Sequence, residues 1–280
     1  MKRLVLICAL VLLCSACYPK NQHATQDTLS QKNKATALLE SIETGNPTPV
    51  SYINPEKYIQ HNLMVKDGLA GFGELLKQLP EGSAKVNVVR AFQDEKYVFT
   101  HTEYDIFGPK IGFDIFKFEN GKIVEHWDNL QVAAGPSPNG HSMIDGATVI
   151  TDRALTDENK ALVCSFVQDI LRDGKMERLT SYFDDDNYIQ HNPNIGDGLS
   201  GLGKALEAMS KAGIVMKYDR IHTVLGEGNF VLTVSEGSFA GKPTAFYDLF
   251  RVENGKIAEH WDVIETIAAP HDRKNNNGKF

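Results

Sequence analysis

Cysteine is scarce in this chain: four residues out of 280, of which Cys8 and Cys14 fall within the first fourteen positions. That excludes a small fold stapled by disulfides. A basic surface is missing too. Lys and Arg number 29 against 36 Asp and Glu, giving a net charge of −7 and no Lys/Arg cluster, so a nucleic-acid-binding surface is excluded. No glycine-rich phosphate loop and no serine-hydrolase elbow occur. Gly71-Phe72-Gly73 and Gly201-Leu202-Gly203 lack the third glycine of a dinucleotide fingerprint. The histidines show no short His/Cys spacing of the kind that builds a metal centre, so neither metal nor cofactor is expected. An acidic protein acting on small molecules is what remains.

The apolar run Leu4 to Leu13 is too short to span a bilayer. With Lys2 and Arg3 before it and Ser15-Ala16 after it, it reads as a signal peptide over residues 1–16. The arrangement resembles a bacterial lipoprotein signal, which implies lipidation of Cys17 and attachment to the envelope membrane, facing the periplasm. Cys14 stands where that pattern usually has leucine, so ordinary cleavage and a secreted soluble form stay open. Cleavage removes Lys2 and Arg3 and no acid, taking the net charge from −7 to −9. Cys164, set among Leu162, Val163, Phe166 and Val167, reads as a structural thiol.

What the chain does have is a repeat. Asp114-Ile-Phe-Lys-Phe-Glu-Asn-Gly-Lys-Ile-Val-Glu-His-Trp-Asp128 recurs as Asp248-Leu-Phe-Arg-Val-Glu-Asn-Gly-Lys-Ile-Ala-Glu-His-Trp-Asp262. Tyr58-Ile-Gln-His-Asn62 recurs unchanged as Tyr188-Ile-Gln-His-Asn192, and Asp67-Gly-Leu69 as Asp197-Gly-Leu199. A period of about 130 residues is that of a duplicated domain. The expected plan is a polar tether over 17–30, a first domain over 31–132 and a Pro/Gly-rich connector over 133–155. A second domain follows over 156–268, then a disordered tail over 269–280 rich in Lys, Asn and Gly.

Within each domain, helical spacing precedes strand patterning. Ala35, Leu38, Leu39 and Ile42 predict a helix over Gln31 to Thr44, ended by Gly45. A second amphipathic helix runs through Leu69, Phe72, Leu75, Leu76 and Leu79 and is closed by Pro80. Four strands follow, near 86–92, 97–104, 112–118 and 122–131. In the second copy, Thr156 is the expected N-cap of a helix over Asp157 to Arg172, and strands are expected near 215–224, 230–238, 244–252 and 256–267. The fold class is α+β, with about three helices on one face of a curved antiparallel sheet in each domain.

The motifs quoted above resemble the SnoaL-like polyketide cyclase group of the NTF2-like superfamily, over nearly all of both repeats. The resemblance implies two tandem NTF2-like cones, each enclosing a pocket. It also implies cofactor-independent aldol-type chemistry in which an acidic residue moves a proton, with Asp114 and Asp248 as the acid/base groups and His61, His126, His191 and His260 as pocket histidines. Such domains commonly pair through the open sheet face, so the two copies are expected to pack as an internal pseudo-dimer.

From the residues themselves, an aspartate among Phe113, Ile115, Phe116 and Phe118 is costly to bury unless it is hydrogen-bonded. Asp114 with His126, and Asp248 with His260, are therefore the catalytic candidates. His61, Asn62, His101, Asp128, His191, Asn192 and Asp262 are the candidates for lining a pocket. A turn role for His61 and His191, capping backbone carbonyls, is nearly as good a reading, and Trp127 and Trp261 read as core. If Glu119-Asn120-Gly121 forms a three-residue loop, Asp114 lies opposite His126; a two-residue Asn120-Gly121 loop puts it opposite Trp127. The first is preferred because Asp114, Phe116, Val124, His126 and Asp128 then share a lining. Two functions fit: an enzyme abstracting a proton α to a carbonyl, or a module that binds a small apolar or carbonyl-bearing ligand without turnover.

Overall fold

The computed structural model describes residues 29–79 and 82–280. The signal sequence, Cys17, most of the tether and the helix-closing Pro80 lie outside the described residues. No helix among the described residues is long and apolar enough to cross a membrane.

The first half runs α1 (Gln31–Thr44), a 3-10 turn (Thr48–Tyr52), β1 (Ile59–Gln60), α2 (Gly68–Gln78), β2 (Lys85–Asp94), β3 (Tyr97–Asp105), β4 (Pro109–Glu119) and β5 (Lys122–Val132). Ser30 Oγ accepts from Asn33 N at the start of α1, and Gly45, at φ 66°, lets the chain leave at its end. The second half repeats the order with α3 (Thr156–Phe166), β6 (Ile189–Gln190), α4 (Gly198–Lys211), β7 (Met216–Glu227), β8 (Phe230–Phe239), β9 (Lys242–Glu253) and β10 (Lys256–Thr266). Each half forms a five-stranded mixed sheet, ordered β1-β5-β4-β3-β2 and β6-β10-β9-β8-β7, so the fold is α+β with two sheets.

Three local expectations are corrected. Tyr-Ile-Gln-His-Asn supplies a fifth strand, parallel to β5 or β10, because two paired residues are too few to show alternation. Thr156 is not an N-cap: it lies within α3, its hydroxyl donating to Arg153 O and accepting from Gly228 N. Beyond Phe166 the helix loosens into a π-helical turn over Val167–Arg172.

The β4–β5 hairpin also departs from the preferred reading. Asn120 and Gly121, at φ 49° and 75°, make a two-residue turn, and Glu119 pairs with Lys122. A bulge then leaves Val124 without a partner, so Lys117 pairs with Glu125 and Asp114 with Asp128. Neither simple register allowed for this. The extra residue restores the parity that a two-residue turn would have lost, returning His126 and Asp128 to the face of Asp114. Ala258 is the matching bulge in β9–β10, where Asp248 pairs with Asp262.

Each half has a core between its helices and its sheet. Leu38, Leu39, Phe72, Phe116 and Ile123 belong to the first; Val163, Phe166, Phe246, Phe250 and Ile257 belong to the second. A third cluster draws on both sheets, with Phe92, Phe99, Phe113 and Ile115 packed among Phe230, Leu232, Tyr247 and Trp261. The contacts around it are reciprocal. Lys32 of α1 bonds Glu227 at the β7–β8 turn (2.8 Å), and Lys160 of α3 bonds Asp94 at the β2–β3 turn (2.6 Å). Glu265 Oε2 accepts from Leu130 N, and Gln131 Oε1 accepts from Ile264 N.

The tail is ordered, contrary to expectation. Asn275 and Lys279 are buried, and Asn275 Nδ2 donates to the carbonyls of Asn62 and Val65. Composition predicted disorder because the segment has little apolar surface of its own. Its polar side chains instead satisfy backbone groups in the first half.

Candidate functional site

The bulged hairpin aims two acids and an imidazole into the space between the first sheet and its helices. Asp114 Oδ1 lies 3.0 Å from His126 Nε2, and Asp114 Oδ2 accepts from Tyr104 Oη (2.5 Å) and Thr100 Oγ1 (3.4 Å). On the far side of the ring, His126 Nδ1 meets Gln60 Oε1 at 3.1 Å. That oxygen also accepts from Asn62 N, while Gln60 Nε2 donates to Tyr58 Oη, which fixes the orientation of the amide. Both nitrogens of His126 therefore face side-chain oxygens.

Asp128 completes the group. Its Oδ2 accepts from Asn62 Nδ2 at 2.6 Å, whereas its buried Oδ1 has no hydrogen-bond partner among the described residues and lies 3.8 Å from Lys279 Nζ. A buried carboxylate oxygen without a donor is costly unless it serves a purpose. Burial, together with the nearby Asp128 and Asp114 carboxylates, pushes the Tyr58 phenol well above its ordinary range, so Tyr58 keeps its proton.

A cavity of about 390 Å³ opens on these groups. Its walls are largely apolar, with Leu38, Leu39, Phe72, Leu75, Phe116 and Leu130 around a polar end formed by Tyr58, Asn62, Asp114, His126 and Asp128. Glu265 from the second half and Lys274 from the tail also line it.

The second half repeats the arrangement. Asp248 Oδ1 lies 3.1 Å from His260 Nε2, His260 Nδ1 lies 3.0 Å from Gln190 Oε1, and Asn192 Nδ2 donates to both oxygens of Asp262. The tyrosine that holds Asp248 comes from a different strand. Where the first half sets Tyr104 on β3 opposite Val86, the second sets Gly237 on β8 opposite Tyr218 of β7, whose Oη lies 3.2 Å from each oxygen of Asp248. Burial raises the carboxyl of Asp262, an effect opposed by His260 and reinforced by Asp248.

The structure thus gathers Asp114, His126, Asp128 and Asn62 in one place and Asp248, His260, Asp262 and Asn192 in another. It separates the remaining candidates from these groups. His61 lies outside the cavity: its ring stacks on Trp127 at 4.6 Å and bonds Glu125 Oε1 and Gly278 O. His191 likewise stacks on Trp261 and bonds Glu259 Oε1 and Ser142 O, which is the carbonyl-capping role. The reason is alternation: residues 61 and 191 follow Gln60 and Gln190, so their rings take the opposite face. His101 also lies outside the cavity. It is buried between the sheets with its Nδ1 3.1 Å from Arg90 Nη1, and burial and the guanidinium hold it well below its ordinary pKa. Tyr58, Gln60, Tyr104 and their counterparts Tyr188, Gln190 and Tyr218 were not singled out from the sequence. The exact recurrence of Tyr-x-Gln was the available signal for four of them.

Ligand atoms of Asp114, His126 and Asp128 come within 4.8 Å of one another, as do those of Asp248, His260 and Asp262, and those of His141, Asp145 and His191. In the first two groups the imidazole already bonds one carboxylate, so a cation there would have to displace that bond.

Residues 164–260 match the profile of the SnoaL-like domain. No curated protein matches the chain. Among solved structures, the chain is similar to an NTF2-like protein from Cytophaga hutchinsonii (12% identity, 38% of this chain and 94% of the other, TM-score 0.34). It is also similar to IdmH, a candidate polyketide cyclase from Streptomyces antibioticus (14%, 37% and 93%, TM-score 0.32). A third is an LEH-like epoxide hydrolase from M. tuberculosis (19%, 39% and 84%, TM-score 0.30). The similarity to the SnoaL-like domain thus falls on residues 164–260, in the second half of the chain.

Proposed function

We propose that this protein is a cofactor-independent enzyme that abstracts a proton α to a carbonyl, in a reaction of aldol-cyclase, isomerase or dehydratase type. On this reading residues 31–132 are a second SnoaL-like copy, and the two copies act as an internal pseudo-dimer. The observation that carries the proposal is Asp128, a buried carboxylate lining a largely apolar cavity, whose Oδ1 has no hydrogen bond among the described residues and lies 3.8 Å from Lys279 Nζ. Asp114, the acid/base first expected, has both oxygens engaged, so its part is to hold His126 in place. Asp128 Oδ1 accepts the α-proton, the electron pair of the C–H bond forms a double bond to the carbonyl carbon, and the carbonyl π pair moves to its oxygen. The Tyr58 hydroxyl, which accepts from Gln60 and keeps its proton free to donate, stabilises the enolate oxygen. The enolate carbon then attacks a second carbonyl, expels a β-hydroxyl or is reprotonated, according to the substrate. In the second half Asp262 and Tyr188 hold the corresponding positions, but both oxygens of Asp262 accept from Asn192, so the role of base falls to Asp128.

A carrier that retains a small apolar or carbonyl-bearing ligand without turnover is the second reading, favoured by the predominance of aliphatic and aromatic walls around the polar end. We further propose export and acylation at Cys17, tested by loss of radiolabelled palmitate incorporation in Cys17→Ala.

Solvent-deuterium exchange into a panel of β-dicarbonyl compounds separates the two readings. Exchange that the wild-type chain accelerates, and that the double variant Asp128→Asn/Asp262→Asn does not, supports catalysis. Retention of a ligand with no accelerated exchange supports the carrier.

A further inference from the structure

Each site loop is fastened by a segment that follows the last strand of the opposite half. After β5 the connector crosses to the second half, where Asn139 Nδ2 donates to Gln190 O (2.8 Å) and to Asp197, and Ser142 O meets His191 Nδ1. After β10 the tail crosses to the first half. There Asn277 Nδ2 donates to Gln60 O (2.9 Å) and bonds Asp67, and Gly278 O meets His61 Nδ1. Both straps carry an Asn-Gly pair, with Gly140 at φ 88° and Gly278 at φ 85°.

The straps differ in how they end. Arg90 grips the connector through the carbonyls of Ala147, Ile144 and Asp145, and Trp261 Nε1 adds a bond to Asp145 O. In the tail, Asn275 and Lys279 reach the first site directly, while Phe280 stacks on His222 of the second half at 4.2 Å. Lys279 Nζ is buried, donating to Asp128 O (2.8 Å) and Glu265 Oε2 (2.6 Å) and lying 3.8 Å from Asp128 Oδ1. Asn275 holds the carbonyl of Asn62, the residue whose side chain fixes Asp128 Oδ2.

We infer that Asn275, Asn277 and Lys279 are positioning residues of the first-half site, lent by the second half in exchange for the connector. The inference deepens the reading of Asp128 as the base. The tail holds the Gln60–Val65 loop and the Asp128 backbone in register, so the first site is incomplete without it. The second site does not depend on it.

The test compares the full mature chain, a chain ending at Arg273, and that shorter chain supplied with the synthetic peptide Lys274–Phe280. Amide hydrogen exchange at His61, Asn62 and Val65 is expected to quicken about tenfold on truncation, as expected when a stabilising hydrogen bond is lost. Exchange at His191, Asn192 and Ile195 stays unchanged, and the peptide restores the first-half rates. The full-length Asn277→Ala variant should show the same one-sided effect if the truncated chain does not fold. In an Asp262→Asn background, Lys279→Met lowers kcat for β-dicarbonyl deuterium exchange with KM little altered, and Lys279→Arg restores it. Unchanged rates at residues 60–65, or equal quickening in both halves that the peptide does not reverse, overturn the inference. One-sided protection without any catalysed exchange leaves the strap in place and removes the catalytic reading.

Discussion

Asp114 and Asp128 stand directly opposite each other on β4 and β5, yet of the two only Asp128 keeps a carboxylate oxygen free of hydrogen bonds among the described residues. The bulge at Val124 creates that relationship, and the hydrogen bonds around Asp114 divide the roles. One acid has both oxygens bonded and orients an imidazole, and the other keeps one oxygen without a hydrogen bond.

Tyr104→Phe tests the engaged half of the pair. It leaves Asp114 Oδ2 with only the long 3.4 Å contact from Thr100, so the chain should lose about 1–3 kcal/mol. Tyr218→Phe should act alike in the second half, because its hydroxyl serves Asp248 from another strand. Urea denaturation of each variant measures both losses.

Phe92→Ala tests how firmly the halves depend on each other. Phe92 is buried, with its ring 4.8 Å from Phe230 of the other half, and its truncation should cost about 3–5 kcal/mol. The same shared cluster predicts one calorimetric unfolding transition for both halves, and two well-separated transitions would count against it.

Acid sensitivity has two sources of opposite sign. Burial opposes the ionised form of Glu259, but hydrogen bonds from His191 and Arg251 outweigh it and hold the carboxyl below its ordinary 4.5. Its contribution is thus present above 4.5 and lost as pH falls through the lower folded value, so Glu259→Gln should flatten the acid limb. Asp262 is raised above 3.8, so its folded form binds protons more tightly than its unfolded form. Stability then falls as pH rises from 3.8 through the raised value, and Asp262→Asn should remove that decline. Unfolding free energies between pH 3 and 7, compared across the two variants, check both signs.

Much of this architecture was legible in the sequence. The bounds of α1, the Asn-Gly turns and the α+β order follow from capping, turn chemistry and periodicity, which act over a few residues. The gathering of Asp114, His126 and Asp128 also followed, although through a register that the structure replaces. What escaped detection depends on partners far away in the chain. A bulge adds one residue without any distinctive composition. The strand status of Ile59–Gln60 depends on β5, and the order of residues 269–280 depends on carbonyls more than 200 positions earlier. Of the two readings open for His61 the carbonyl-capping one holds, and Gln60 is the residue that faces His126.

Comparison of single variants in the Asp262→Asn background, by solvent-deuterium exchange into a β-dicarbonyl at neutral pH, tests the central claim most directly. Asp128→Asn should abolish the accelerated exchange, a loss of about 10²–10⁴-fold, while Asp114→Asn retains part of it. Full exchange in Asp128→Asn, with loss confined to Asp114→Asn, would contradict the account.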